Sequence, residues 1–422
     1  MTASIALDAG SAAVAETRVR RRLLFLMFPA ATAMFAVFNG IQQVLLPGQV
    51  EEIDSANKIA NLGMIMGICA VTSVFGLLAG GAVSDRTVGR WGRRAPSLAF
   101  SAIVAAILTV ALGSVSTLMA LTLGMAALWF VVNYYQGALT AILPDRIPLE
   151  HRGVTSSMIA LGVPIGVIVS VQLGALVERP LALASLGLLL VLTTAALLFL
   201  APEPPAHAPV AVADTPQPPL LVRFIGFFDG FRSFDFTIAM IARMLMFFSI
   251  FSVTAYTYYI LQDYVGTKNL PSGDIKFSVS LMITIQMVAC LVSTAISGWL
   301  VDRWQKPKLF VGISSIGIAV AFAIPMFSPS WPAMLFMQTS VGFFFGAYMA
   351  IDLALMSLVL PDPDNEGRDM ALLSAAAGLP QILTPMFAAA VIANIGYYAL
   401  FGAGALSALA AGVLIFLIRS VR

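Results

Sequence analysis

The sequence predicts an all-α integral membrane protein with twelve transmembrane helices in two parallel six-helix repeats. Three observations lead there. Charged residues make up 10% of the 422 and hydrophobic ones 59%, whereas a soluble globular chain carries about 25% charge. Apolar runs of spanning length recur along nearly the whole chain. The same short motifs return about half a chain later.

A chain this long could build two or three soluble domains, but it has too little charge to clothe them. A spanning helix needs ~20 apolar residues to cross ~30 Å of hydrocarbon. Runs of that kind fall at 23–47, 57–83, 96–116, 118–142, 154–177 and 181–201, and then at 236–264, 277–301, 308–328, 332–360, 370–394 and 396–418. Lipid supplies no hydrogen bonds to the backbone, so each run satisfies its own groups as a helix. The first follows Arg18, Arg20, Arg21 and Arg22 and has no small-residue cleavage site, so it reads as a retained helix. Cys69 and Cys290 both lie inside apolar runs, which implies no disulfide framework. The expected division is a tail over 1–22, a bundle over 23–201, a connector over 202–235, a second bundle over 236–418 and a tail over 419–422. Seven prolines between Pro202 and Pro219 make the first part of the connector an extended linker. Leu220–Phe236 is apolar but carries Arg223, Asp229, Arg232 and Asp235, the pattern of an interfacial amphipathic helix.

Orientation follows from Lys and Arg. The N-terminus, the loops after even-numbered spans and the C-terminus hold eighteen of the twenty-three, and the loops after odd-numbered spans hold Lys58, Arg179, Lys268 and Lys276. The positive-inside rule then places both termini and the linker in the cytoplasm.

The repeat is visible in the residues themselves. Gly81-x-x-x-Asp85-Arg86 returns as Gly298-x-x-x-Asp302-Arg303, and Leu143-Pro144-Asp145 as Leu360-Pro361-Asp362, both at an offset of 217. Glu150, Arg152 and Pro164 return as Glu366, Arg368 and Pro380, at 216. Six spans per repeat, with matching ends on the same side, give a parallel repeat about an axis along the membrane normal. Transporters commonly use that symmetry, with the binding site where the repeats meet.

Gly81, Asp85, Arg86, Arg90, Gly92, Arg93 and Arg94 together resemble the loop motif of the major facilitator superfamily. The wording Ser84-Asp85-Arg86-Thr87 followed by Arg90-Trp91-Gly92-Arg93-Arg94 resembles its sucrose-transporter and glycoside-pentoside-hexuronide branch. The stretch Gly346–Asp352 and the ending Ile418–Arg422 are similar to bacterial relatives of that branch. The resemblance implies the major facilitator fold, the inner membrane, alternating access by rocking of one half against the other, and a cavity lined by helices one, four, seven and ten. Two departures stand out. The second copy of the loop reads Asp302-Arg303-Trp304-Gln305-Lys306-Pro307-Lys308, without Gly-Arg-Arg. Melibiose-type symporters carry carboxylates within spans two and four, and this chain has none there, so sodium coupling by that route is not expected.

Three groups of residues could carry chemistry. Gly81, Asp85, Arg86, Arg90 and Arg93, with Asp302 and Arg303 in the second copy, form a candidate cytoplasmic gate. Its carboxylates would pair with arginines and meet a helix start, where the dipole favours an anion. The alternative is a solvated turn with topological charge. Asp352 is the carboxylate set deep in a span, ~12 Å from its cytoplasmic end, and Arg243 lies ~10 Å deep on another. Each alone is costly in hydrocarbon, so a pair is expected, either as a proton-coupling switch or as a static structural bridge. Finally, Asn39, Gln42, Asn133, Tyr135, Gln136, Tyr256, Tyr259, Gln338 and Tyr348 are candidate substrate-binding residues on those four helices. Amides and phenols both donate and accept, which suits a neutral polyhydroxylated ligand. The plainer reading is hydrogen bonding between helices. Gln262 and Asp263, near the outer end, fit an outer gate as well as a substrate site.

No His, Cys or carboxylate cluster has metal-ligand spacing, no P-loop is present and no basic domain could bind nucleic acid. The expectation is no cofactor, no enzyme activity, and a monomer in a lipid bilayer that moves a small molecule, with protons as a possible partner. The leading reading is import of a sugar or glycoside. Efflux of hydrophobic drugs or metabolites is the second, and a non-transporting membrane assembly factor the third. Gly162-Val163-Pro164-Ile165-Gly166 only partly matches the drug-antiporter signature of the superfamily, and Pro164 and Pro380 are expected to kink their helices.

Overall fold

The computed structural model describes residues 22–23, 25–147, 149–206, 231, 233–304, 306–359 and 366–419. Twelve of its helices are long and apolar enough to cross a membrane. They are α1 Phe25–Ile53, α2 Lys58–Arg86, α3 Ala95–Leu112, α4 Leu118–Arg146, α5 Leu149–Leu176 and α6 Arg179–Leu200. The second six are α7 Phe234–Thr254, α8 Ile275–Trp304, α9 Pro307–Phe327, α10 Trp331–Leu358, α11 Glu366–Asn394 and α12 Tyr397–Leu417. No β-strand occurs among the described residues.

Local chemistry sets the helix ends. Proline stands in the first turn of α3, α6, α9 and α10, where its missing N–H would have had no partner anyway. Ser233 caps α7 by accepting from the N–H of Phe236. Gly396, at φ 109°, makes the turn into α12, a conformation that penalises any side chain. Pro164 sits inside α5 and Pro380 inside α11.

The seventh span departs from expectation. The single helix expected over 236–264 ends at Thr254, resumes as one turn over Thr257–Tyr259 and continues as a π-helix over Ile260–Gly266. Within α1, Ala36–Leu45 is also π-helical. Such wide turns leave backbone groups less tightly held and recur at functional positions. Apolar periodicity in a span does not register the change of pitch.

Two compact units result. One holds the described residues up to Ile41 and from Cys69 to Ala206, and the other holds Gln42–Ile68 and everything described from Phe231 onward. In the first, α3 packs on α4 and α6. In the second, α8 packs on α10, α9 on α10 and α12, and α7 on α11 and α12. The closest approaches rest on glycine. A Cβ on Gly76 or Gly80 of α2 would stand 2.2 or 2.0 Å from the carbonyl oxygens of Phe130 and Tyr134 on α4. In the second unit Gly342 and Gly346 of α10 press equally close on the carbonyls of Gln286 and Cys290 on α8. Both pairs are Gly-x-x-x-Gly, the spacing that lets helix backbones meet in lipid. Gly162 and Gly166 of α5 lie in the same way against Ala31, Thr32 and Phe35–Ala36 of α1, so this stretch serves packing.

Large apolar side chains such as Phe75, Leu78, Ile107, Phe199, Phe336 and Leu406 are exposed. A hydrocarbon solvent explains such faces and water does not. Most of the interfacial helix expected over Leu220–Phe236 lies outside the described residues, as do Arg18, Arg20 and Arg21.

Candidate functional site

At the arginine-rich ends of the first unit, the α2–α3 loop folds around one guanidinium. Arg94 is buried just before α3 begins. Its Nε and Nη2 both lie 2.8 Å from Asp145 Oδ2, and Nη2 also pairs with Asp85. Nη1 donates to Ser84 Oγ at 2.6 Å. The planar fork of arginine can meet three groups at once in this way. The main chain is held too. Glu203 accepts from the N–H groups of Arg94 (2.7 Å) and Ala95 (3.0 Å), an anion at the N-terminus of α3. Gly89 and Ala206 exchange two backbone hydrogen bonds, and Arg146 donates to the carbonyls of Ala201 and Pro202. The first residues of the expected linker are therefore strapped to the motif loop.

Among the expected gate residues, Asp85 joins this cluster, and Gly81 brings its carbonyl within 3.5 Å of Arg94 Nη1. Arg86 and Arg90 are exposed, and Arg90 lies over the Trp91 ring. Arg93 is half-buried. In the second unit Arg303 lies over Trp299, and the Asp302 side chain falls outside the description. The organising residue is Arg94, which sequence reasoning quoted in the motif without selecting. Four neighbouring arginines look alike in sequence, and only the fold buries one of them.

Deep in the second unit, Arg243 of α7 meets Asp352 of α10. Nη2 and Oδ2 are 3.2 Å apart, with side-chain exposures of 6% and 0%. The contact is a charge pair without an aligned hydrogen bond. Among the described residues, Arg243 Nε and Nη1, both Asp352 oxygens and the Tyr348 hydroxyl lack hydrogen-bond partners. Aromatic rings surround the pair: Phe247 lies 5.8 Å from the guanidinium, edge-on to Phe345 and Tyr348, which stack on each other. Unmet polar atoms in so apolar a setting are costly, and burials of this kind recur where charge is meant to change.

The candidate substrate residues divide. Asn133 donates to Ser73 Oγ at 3.1 Å and to the Trp129 carbonyl, and Phe38 packs on Trp129. Asn39 reaches back to the Phe35 carbonyl, and Gln42 and Gln136 are half-buried. Tyr135 is wholly buried and its hydroxyl shares a 2.8 Å hydrogen bond with Thr194 of α6, a bond between helices. Gln338 donates to Gln286 of α8 at 2.7 Å, a bond between helices. Tyr256 and Tyr259 donate to the carbonyls of Pro385 and Pro47, each wholly buried. For these four, helix-to-helix bonding describes the contacts better than ligand binding does.

Sequence reasoning treated Lys58 as a topological charge. It lies at the start of α2 and gathers Glu51, Gln262 and Asp263 within 3.1 Å. Its partners are up to 205 residues away in the chain, and no local pattern reveals such a meeting.

Comparison with known proteins agrees with this architecture. Residues 272–422 match the model of the Major Facilitator Superfamily. Over 171 residues the chain is 27% identical to an uncharacterized MFS-type transporter of Schizosaccharomyces pombe, a match spanning 40% of this chain and 38% of that protein. A bacterial homologue of the human lysosomal transporter Spinster, solved inward-facing and unoccupied, superposes with a TM-score of 0.67 at 15% identity, covering 96% of this chain and 95% of that one. A point mutant of the nucleoside transporter NupG gives 0.70 at 17% identity, covering 94% and 98%. The curated relative and NupG are each named as transporters. The chain thus has the twelve-helix major facilitator fold, and its residues 272–422 carry the superfamily's sequence pattern as well.

Proposed function

We propose that the chain is a secondary active transporter of the major facilitator superfamily. It moves a small neutral solute, a sugar or glycoside, across the inner membrane by alternating access, coupled to protons, with its termini in the cytoplasm. The observation that carries this reading is the Arg243–Asp352 pair: a carboxylate with no exposed surface, set against a guanidinium and short of hydrogen bonds. Asp352 takes up the proton, and Arg243 stabilises the charged form when the proton leaves. Protonation cuts the charge pairing and frees Arg243, so proton binding changes the packing of α7 on α10.

The loop wording shared with the sucrose-transporter and glycoside branch favours a sugar. So does the neutrality of the half-buried amides Asn39, Gln42 and Gln136. Nucleosides, which are neutral glycosides, belong in the substrate panel because NupG shares the fold. On the cytoplasmic side, Asp85, Asp145 and Arg94 form the latch, with Gly81, Arg86, Arg90 and Arg93 around it and Asp302–Arg303 as its repeat.

The test is uptake of labelled sugars and nucleosides into proteoliposomes, with and without an inward proton gradient. Gradient-driven uptake that Asp352→Asn abolishes, while leaving solute exchange intact, supports the reading. If nothing in the panel moves while a control carrier works in the same lipid, the sugar reading falls and hydrophobic efflux substrates are next.

A further inference from the structure

We propose that Lys58 is the keystone of an outer gate, a second closing device distinct from the Arg94 latch and the Arg243–Asp352 pair. The inference rests on the transporter reading but not on which solute is carried. Lys58 Nζ lies 3.1 Å from Glu51 Oε1, 2.9 Å from Asp263 Oδ1 and 2.9 Å from Gln262 Oε1. All three donors of the ammonium are thereby used. Its underside faces the Tyr259 ring, 4.9 Å from the centroid, a cation–π contact. The lysine side chain is only 13% exposed, so water replaces little of this if it is lost.

The partners come from different helices. Glu51 ends α1 and Lys58 starts α2, while Gln262 and Asp263 belong to the π segment after α7. Gln262 Nε2 donates to Glu51 at 2.6 Å, and Tyr397 of α12 donates to Asp263 Oδ2 at 2.8 Å. Tyr259 and Tyr256 then tie the same segment to the carbonyls of Pro47 on α1 and Pro385 on α11. One cation thus neutralises two carboxylates that would otherwise repel, and it fastens the far ends of α1 and α2 to α7, α11 and α12.

The segment it holds is not continuous α-helix. The helix breaks at Ala255–Tyr256, the π turns run over Ile260–Gly266, and Gly266 at φ 85° ends them. Release of Lys58 frees this segment, which is the opening step on the side opposite the arginine-rich loops.

The test is labelling by a membrane-impermeant maleimide, which needs no solute. Ile260, wholly buried in the π segment, is replaced as Ile260→Cys in a Cys69→Ser, Cys290→Ser background, in intact cells. Lys58→Met is expected to raise the labelling rate at least about tenfold, because it leaves Glu51 and Asp263 without their shared cation. Lys58→Arg should raise it less. Pairing Lys58→Glu with Asp263→Lys should bring the rate back down. Should Lys58→Met not insert, Asp263→Asn gives the same readout with the lysine kept. Unchanged labelling in folded Lys58→Met or Asp263→Asn protein overturns the proposal, even if no sugar is ever transported.

Discussion

Replacing Arg243 with methionine removes the cation and keeps much of the side chain's length. It strands the Asp352 carboxylate with no exposed surface and no counter-charge. Cutting a buried pair in this way costs about 3–5 kcal/mol. The carboxyl can escape by taking a proton. At pH 7, keeping neutral a group with an ordinary pKa of about 3.9 costs about 4 kcal/mol, at about 1.36 kcal/mol per pH unit. The two routes agree, so the expected loss of stability at pH 7 is about 4 kcal/mol. The sign with pH follows from linkage. The folded variant holds a proton that the unfolded chain releases above pH about 4, so stability falls as pH rises. Going from pH 7 to pH 5 should return about 2.7 kcal/mol on the same scale. The assay is unfolding of purified protein in detergent at both pH values, with Arg243→Met, Asp352→Leu and the double variant. The double variant should recover most of the loss, since no stranded charge remains. An Arg243→Met protein as stable as its parent at pH 7, with the parent's pH dependence, would refute the reasoning: Asp352 would then be solvated or paired elsewhere.

Other perturbations separate packing from gating. Arg94→Lys keeps the charge but not the fork that meets Asp145, Asp85 and Ser84, and is expected to cost about 2 kcal/mol in thermal unfolding and to slow transport. Gly80→Ala and Gly346→Ala force a Cβ onto a carbonyl at 2.0 and 2.3 Å, and each should cost about 1–3 kcal/mol by pushing two helices apart. Gly81→Ala meets nothing within 4 Å, so it should unfold like the parent, and any loss of transport in it then reports on cycling. Tyr135→Phe should lose about 1 kcal/mol with its Thr194 bond and leave the apparent affinity for solute unchanged. The exposed Asp54 carboxyl is held below its usual range by Asn57 and then Asn61, so the order of the α1–α2 turn is present at neutral pH and lost on acidification through that lowered range. Hydrogen exchange over 54–61 should quicken there and nowhere else in the hairpin.

The fold was legible because lipid makes strong demands on sequence. Spanning length, scarce charge and one-sided arginines each follow from the bilayer, and Gly81–Arg86 and Gly298–Arg303 expose the repeat. The sites were legible only where cost marks them. Asp352 and Arg243 stand out because a charge in a span needs a reason, and they do meet. Lys58 and Glu203 carry no such mark, since charged residues in loops cost nothing until the fold buries them. For Gln338 and Tyr135 the sequence leaves two readings open. A polar residue in a span needs a partner, but the partner can be Gln286 or Thr194 as readily as a ligand. The break after Thr254 was hidden because Ser252–Tyr259 contains neither proline nor glycine to mark it.

The repeat also shows where the chemistry has been placed. Position 352 less the offset of 217 is 135, so Asp352 and Tyr135 occupy equivalent places on α10 and α4. In the first unit the buried phenol meets the hydroxyl of Thr194 on α6, and every polar atom of that pair is satisfied. In the second, the equivalent carboxylate turns to α7 and, among the described residues, has no hydrogen-bond donor. The loop sequences divide the other way: Arg94 of Gly92-Arg93-Arg94 is buried against Asp85 and Asp145 in the first copy, while the second copy reads Gln305-Lys306-Pro307. A second buried carboxylate, at position 135, would carry its own desolvation cost. The comparison yields one last expectation. Tyr135→Asp should destabilise the first unit severely in unfolding measurements, because it puts a carboxylate where a wholly buried phenol meets the Thr194 hydroxyl. If Tyr135→Asp alone were tolerated at neutral pH, the asymmetry between the two positions would not be a matter of charge burial.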